Sequence, residues 1–261
     1  MKKISLIILF IFSLAFQANA GDSGDQSLSA KENGIVKDCF ENINRGVFAF
    51  NKALDNILFE PIAKGYRILP SPIRSGASNA LGNLTNVVTI PNNILQGEIK
   101  KAGNNTARFA INTTIGILGL FDPASKLGFE KLDKEDYGQT LATWGVGEGC
   151  YIVLPVLGPS TARDTFASLA TFMGGDAWYN VTVKNDTAHF TDFDYYASRG
   201  LSAVDFRAKN IESFENLEKN SMDFYASVRS LYLQDRQLKI SNTKAIIETM
   251  DDSDWEEIET N

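Results

Sequence analysis

Apolar residues recur along this chain at helical spacing. Phe40, Ile43, Val47, Phe50, Leu54 and Ile57 fall 3, 4, 3, 4 and 3 residues apart, which draws one apolar stripe down a helix. Pro61 is expected to close that helix. Ser71-Pro72 then offers an N-cap with proline at the first helical position, and Ile73, Ala77, Ala80, Leu84, Val87 and Val88 keep the spacing as far as Pro91. The segment from Ala107 to Phe121 is apolar nearly all round, with Arg108 as its only charge, and Asp122-Pro123 should end it. A helix of that kind is buried in protein or faces lipid. As a helix it would reach about 22 Å, short of a hydrocarbon core of about 30 Å. Thr161 to Met173 reads as a further helix, stopped by Gly174-Gly175. Between about Leu201 and Leu238 the positions Val204, Ile211, Phe214, Leu217, Met222, Tyr225, Val228 and Tyr232 form a long amphipathic pattern with a break near Asn220-Ser221. Strand-like alternation does not recur often enough to build a sheet, and no repeat of fixed period is present. The expected class is mainly α.

One stretch fits no simple helix. Asp136 to Asp164 reads DYGQTLATWGVGEGCYIVLPVLGPSTARD, rich in Gly and Pro, and between Tyr137 and Arg163 its only charge is Glu148.

Composition narrows the setting. The first twenty residues, MKKISLIILFIFSLAFQANA, combine a basic start, an apolar run and small residues at Ala18 and Ala20, the pattern of a secretory signal peptide cut before Gly21. Residues 21–37 read as a flexible lead-in, 38–240 as the folded domain and 241–261 as an acidic, solvated tail. The formal charge of −7 becomes −9 without Lys2 and Lys3, so a nucleic-acid partner is not expected. Cys39 and Cys150 are the only two cysteines; after export they are free to pair, but spacing alone does not require it.

Catalytic patterns are missing. The single histidine, His189, has no G-x-S-x-G elbow or placed serine beside it and reads as a surface or packing residue. No Cys/His cluster has metal-ligand spacing. The glycines of GVGEG follow no strand of a βαβ unit, so a phosphate loop is a weak reading. Carboxylate pairs such as Asp133 and Asp136 are ordinary in an acidic chain. The expectation is therefore no catalytic residue, no cofactor and no metal. Exported amphipathic helices remain, facing either lipid or one another.

Four segments together resemble one family. DCFENINRGVFAFN (38–51) is similar to the opening motif of the MlaA family, also called VacJ. EDYGQTLATWGVGEGCYIVLPVLGPSTARD (135–164) resembles its Gly-Gln-Thr, W-G-V-G-x-G-P-Y, L-P-x-x-G-P-S and R-D series. RSGASNALGNLTNVVTIPNNILQGEIKKAGNNTARFAINTTIGILGLFD (74–122) and SMDFYASVRSLYLQDRQ (221–237) look like its middle section and closing helix. The resemblance covers about Asp38 to Gln237. It implies a ring or disc of amphipathic helices lying in one leaflet of the bacterial outer membrane, on the periplasmic face, around a central amphipathic channel. The implied partners are phospholipid, a porin trimer and a periplasmic lipid carrier, and the implied function is removal of mislocalised phospholipid from the outer leaflet. Within the long motif Gly138, Trp144, Gly145, Gly147, Gly149 and Tyr151 become candidates for the lipid pathway, whereas Glu41, Asn44, Arg45, Arg163 and Asp164 are expected to be structural.

This chain departs from the family in two respects. Many members carry a lipid-bearing cysteine after the cleavage point, and here Gly21 stands there, so the expected mature chain lacks an N-terminal lipid. Three positions that usually hold proline are Cys39, Cys150 and Phe224. Two motifs each exchanging Pro for Cys, in a chain with no other Cys, imply a Cys39–Cys150 disulfide. The alternative left open is a soluble periplasmic binding protein for lipid or another hydrophobic ligand; an exported hydrolase would need a nucleophile and base that the sequence does not offer.

Overall fold

The computed structural model describes residues 36–171, 173, 176–183 and 191–241. The expected signal peptide, most of the lead-in, Gly174-Gly175, His189 and the tail beyond Ser241 lie outside the described residues. The described ones belong to a single unit beginning at Val36, and they are mainly helical.

Helix α1 (Glu41–Leu54) and helix α2 (Glu60–Arg67) form one continuous rod through a π-helical turn at Asp55–Phe59. Pro61 therefore does not close the first helix. Inside an α-helix its ring would clash with the carbonyl four residues back. The wider turn, in which the Glu60 N–H bonds the Asp55 carbonyl, puts Pro61 instead in the first turn of the next segment, where proline is tolerated. Helix α3 (Ser71–Leu95) is capped by Pro70, not Ser71. The Pro70 carbonyl accepts from Ile73 N–H at 3.0 Å and from Arg74 N–H at 3.3 Å, which leaves Ser71 as the first helical residue. The same helix runs through Pro91 to Leu95.

Helix α4 (Ile99–Thr114) starts before and ends within the apolar segment predicted from Ala107 to Phe121. Residues 115–121 leave the helix, with Ile117, Leu118 and Gly119 at positive φ, and Asp122 caps the short α5 (Pro123–Lys126). The glycine-rich stretch holds helix α6 (Tyr137–Thr143) and an antiparallel hairpin, β1 (Tyr151–Leu154) with β2 (Gly158–Thr161). The sequence reading missed this hairpin because four-residue strands are too short to show alternation. Helix α7 (Ala162–Ala170) is capped by the Thr161 side chain. After α8 (Ala177–Thr182) the long C-terminal pattern resolves into α9 (Asp192–Lys209), α10 (Ile211–Asn220) and α11 (Phe224–Ile240). The break near Asn220-Ser221 is present, and a second one falls at Asn210.

Contacts between elements close a circuit: α1 packs on β1, α11 on β2 and α6, α6 on α3, α3 on α9, and α9 on α2, which is continuous with α1. The faces are turned opposite to those of a water-soluble bundle. Along α3 the buried residues are Asn83, Asn86, Thr89, Asn92 and Asn93, and along α4 they are Ala102, Asn105, Arg108 and Asn112. Much of the first predicted apolar stripe points outward: Ile57 is 78% exposed, and Phe40, Ile43 and Phe50 are exposed as well, as is Ile73 at the start of the second, while Val47, Leu54, Leu84, Val87 and Val88 are half-buried. Among the described residues, buried polar or charged side chains number twenty and buried apolar ones eleven, so hydrogen bonding rather than apolar contact fills the interior. Buried amides are tolerable only when paired. Asn105 donates to Asn93 at 2.9 Å, Asn83 to Thr113 at 2.8 Å and Thr140 to Asn92 at 2.6 Å. So much exposed apolar surface requires a cover. Among the described residues no helix is long and apolar enough to cross a membrane.

Candidate functional site

The hairpin is held against α1 by two asparagines seven residues apart, at the edge of the apolar stripe beside Val47. Asn44 donates to the Tyr151 carbonyl at 3.0 Å and to Asp38 at 2.7 Å, and accepts from Val153 N–H at 2.9 Å. Asn51 repeats the arrangement one step along, donating to Leu154 O at 2.9 Å and accepting from Val156 N–H at 2.7 Å. Each amide substitutes for a neighbouring strand on the hairpin edge. Cys39 and Cys150 are joined in a disulfide at the start of this seam, with Cα atoms 5.6 Å apart. Arg45 leaves the same helix toward α11, pairing with Glu41 at 2.8 Å and with Asp223 at 2.7 Å while stacking over Tyr225. Of the motif positions, Asn44 and Arg45 join α1 to its neighbours, and Glu41 holds Arg45 from within the same helix.

The two ends of the 136–164 stretch meet on one side chain. Arg236 of α11 makes a bidentate pair with Asp136, at 2.6 and 2.8 Å, and another with Asp164, at 2.8 and 3.0 Å. Tyr232, one turn earlier on α11, donates to Asp164 at 2.8 Å, and Arg163 closes on the same carboxylate at 3.1 Å. Burial would raise the Asp164 pKa, but the Arg236 bonds, with Tyr232 and Arg163, outweigh it and hold the carboxyl at about 2. Burial likewise opposes ionisation of Asp136, and the Arg236 bonds again lower its pKa. Gly138 is buried against this clamp: a Cβ there would sit 2.3 Å from Asp164 Oδ1 and 2.5 Å from an Arg236 nitrogen.

Beside the clamp lies a cavity of ≈ 720 Å³, a size suited to ligand binding. Its apolar wall includes Val88, Leu154, Leu157 and Ala167, and its polar groups include Asp176, Arg199, Asp235, Arg236 and Lys239. Asp176, the cap of α8, accepts from the Tyr195 hydroxyl at 2.7 Å and from Arg199 at 2.6 Å.

Of the six pathway candidates, Gly138 lines this cavity and the other five are not in its lining. Trp144 is 58% exposed, with its indole N–H on the Leu95 carbonyl at 3.0 Å. Gly145, Gly147 and Gly149 form the exposed loop after α6, with Gly145 and Gly149 at positive φ. Tyr151 is fully buried among Tyr225, Tyr232 and Val153. The structural candidates Arg163 and Asp164 belong to the clamp. Sequence reasoning did not single out Arg236, Tyr232, Arg199 or Asp176, and it treated Asp136 as incidental. The one available signal was an aspartate at each border of a nearly uncharged run.

The family model described as "MlaA lipoprotein" matches residues 36–239. An uncharacterised protein of Rickettsia bellii is 34% identical over 246 residues, covering 92% of each chain. The intermembrane phospholipid transport system lipoprotein MlaA of Haemophilus influenzae is 30% identical over 256 residues, 94% of each chain. Its namesake in Escherichia coli is 31% identical over 205 residues, 76% of each. A solved structure described under "Structural basis for maintenance of bacterial outer membrane lipid asymmetry" superimposes with a TM-score of 0.66 at 28% identity, over 78% of this chain and 99% of the other. The linked motifs, the outward apolar faces and these matches agree: the chain belongs to the MlaA family.

Proposed function

We propose that this chain is the outer-membrane component of intermembrane phospholipid transport, removing mislocalised phospholipid from the outer leaflet and passing it to a periplasmic carrier. The observation that carries the reading is the inverted fold: apolar side chains outward, amides and ion pairs inward, and an amphipathic cavity against the clamp. Amphipathic helices, none of those described being both long and apolar enough to span a bilayer, can lie within one leaflet, apolar face to acyl chains. The periplasmic leaflet, with a porin trimer alongside, is the place this reading assigns. Acyl chains pass against Val88, Leu154 and Leu157, while the head group meets the charged lining at Arg199 and Lys239. Gly138 lets the clamp close beside that path. Trp144 and the loop through Gly145, Gly147 and Gly149 are assigned to membrane contact, and Tyr151 to the core. Work of this kind is transfer without bond making, so no catalytic role is assigned to any residue.

The test is genetic and physical together. A strain lacking this chain should expose phospholipid at the cell surface in an outer-leaflet labelling assay, and the restored chain should reverse it. An unchanged outer leaflet, in a strain with no second copy, would sink the proposal. Recovery in the soluble periplasm after cell breakage would point instead to a soluble lipid-binding protein.

A further inference from the structure

We propose that a second, smaller pocket, between α3, α4 and the segment 131–134, binds one phosphate-type oxyanion, with the Lys134 ammonium as its principal ligand. The pocket is lined mainly by polar residues, Asn83, Asn86, Arg108, Asp122, Lys131 and Lys134 among them, and it shares no lining residue with the large cavity. This inference is therefore independent of the transport reading.

Charge is the first argument. Arg108, Lys131 and Lys134 face a single carboxylate, Asp122. That carboxylate is already engaged: it accepts from Arg108 at 2.7 Å, Asn112 at 2.9 Å, and the Ser125 hydroxyl and N–H at 2.7 and 3.2 Å. Among the described residues Lys134 donates to the neutral Asn86 Oδ1 alone, at 2.6 Å, so two of its three N–H groups are left for a ligand and its charge is offset only at a distance, by Asp122. Burial first, then Arg108 and Lys131, push the Lys134 ammonium down to about 8. An arriving anion would relieve that cost.

Hydrogen bonding is the second. Asn83 is 5% exposed, and its Oδ1 has no partner, while its Nδ2 rests on the Thr113 hydroxyl at 2.8 Å. A hydroxyl donates as readily as it accepts, so this amide can turn over and present its N–H group to the pocket. A tetrahedral oxyanion offers several acceptor oxygens to these donors; a cation would meet three like charges. The phosphate can belong to a lipid head group or be free in solution.

The full chain, purified in neutral detergent, is titrated with inorganic phosphate and separately with monomeric dihexanoyl phosphatidylglycerol, by calorimetry. Saturable binding is expected, weakened at least about tenfold by Lys134→Met and only a few-fold by Lys134→Arg. With 13C-methylated lysines, the Lys134 resonance should titrate at higher pH once the ligand is bound. Binding of inorganic phosphate that needs Lys134 assigns the site to the free ion; lipid binding alone with that dependence assigns it to a head group. Failure of both ligands to bind overturns the proposal. So does binding that survives Lys134→Met unchanged, which would belong to the large cavity, or a Lys134 titration that saturating ligand leaves in place.

Discussion

Replacing Arg236 with methionine removes one side chain and strands the buried Asp164 carboxylate, whereas Asp136, 48% exposed at the side chain, keeps access to water. Arg236 and Asp164 are each 9% exposed at the side chain, and four charge-assisted bonds of 2.6 to 3.0 Å join Arg236 to Asp164 and Asp136. Breaking a buried ion pair from one side costs about 3–5 kcal/mol, because the partner's charge stays behind without water. Denaturant unfolding in a non-ionic detergent, followed by tryptophan fluorescence at pH 7, should show a loss of that size. The pH dependence carries a sign. The Asp164 pKa in the fold, about 2, lies below its ordinary 3.8. Its stabilisation is therefore complete above the unfolded value and is lost as pH falls toward 2. At about 1.4 kcal/mol per pH unit, that span is worth roughly 2–3 kcal/mol. In Arg236→Met the largest influence opposing burial is gone and Tyr232 and Arg163 alone remain on Asp164, so its pKa rises and less stability should be lost on acidification than in the parent. The triple variant Asp136→Asn, Asp164→Asn, Arg236→Met removes the charges altogether and should recover at least half of the loss. A single-variant cost below about 1 kcal/mol, or a triple variant no more stable than the single, would refute the reasoning.

Three further perturbations follow from the same geometry. Gly138→Ala should cost about 1–3 kcal/mol by overpacking against the clamp, whereas Gly147→Ala, which meets nothing within 4 Å, should stay within about 0.5 kcal/mol in the same unfolding assay. Cys39→Ser with Cys150→Ser should lower stability by about 4–5 kcal/mol in the chain-entropy account of a cross-link spanning 111 residues, read as the difference between oxidised and variant denaturation midpoints. Asn44→Leu, inward, should cost roughly 2–4 kcal/mol by orphaning the Tyr151 carbonyl and Val153 N–H; Ile57→Gln, outward, should leave detergent-phase stability almost unchanged but weaken flotation with lipid vesicles.

Periodicity made the helices legible but not their orientation. The 3-4 spacing of Ile43, Val47, Phe50 and Leu54 states that a helix has an apolar face, and the same pattern serves a helix packed on protein or on lipid. The asparagines at 83, 86, 92 and 93 carried the missing information, since buried amides need partners that only the tertiary fold reveals. Pro61 and Pro91 misled because both sit within continuing helix. Of the site, Asp164 and Gly138 were visible through their motif. Their shared partner Arg236 lies 72 residues beyond Asp164, and nothing local in α11 distinguishes it from a solvated arginine. Lys134 gave no signal at all, because its character comes from what surrounds it.

The disulfide turns part of the molecule into a covalent circle. Every residue of α1 through α6 lies between Cys39 and Cys150, and everything from β1 onward hangs from the circle as a tail. One protease cut within the circle leaves a single covalent species until reductant is added, while one cut in the tail releases a fragment at once. Synthesis meets the same topology in time: at 5–20 residues per second, Cys39 stays an exposed thiol for roughly 5–20 seconds before its partner is made. The circle is therefore sealed late, and a second thiol that reaches Cys39 first competes directly with folding.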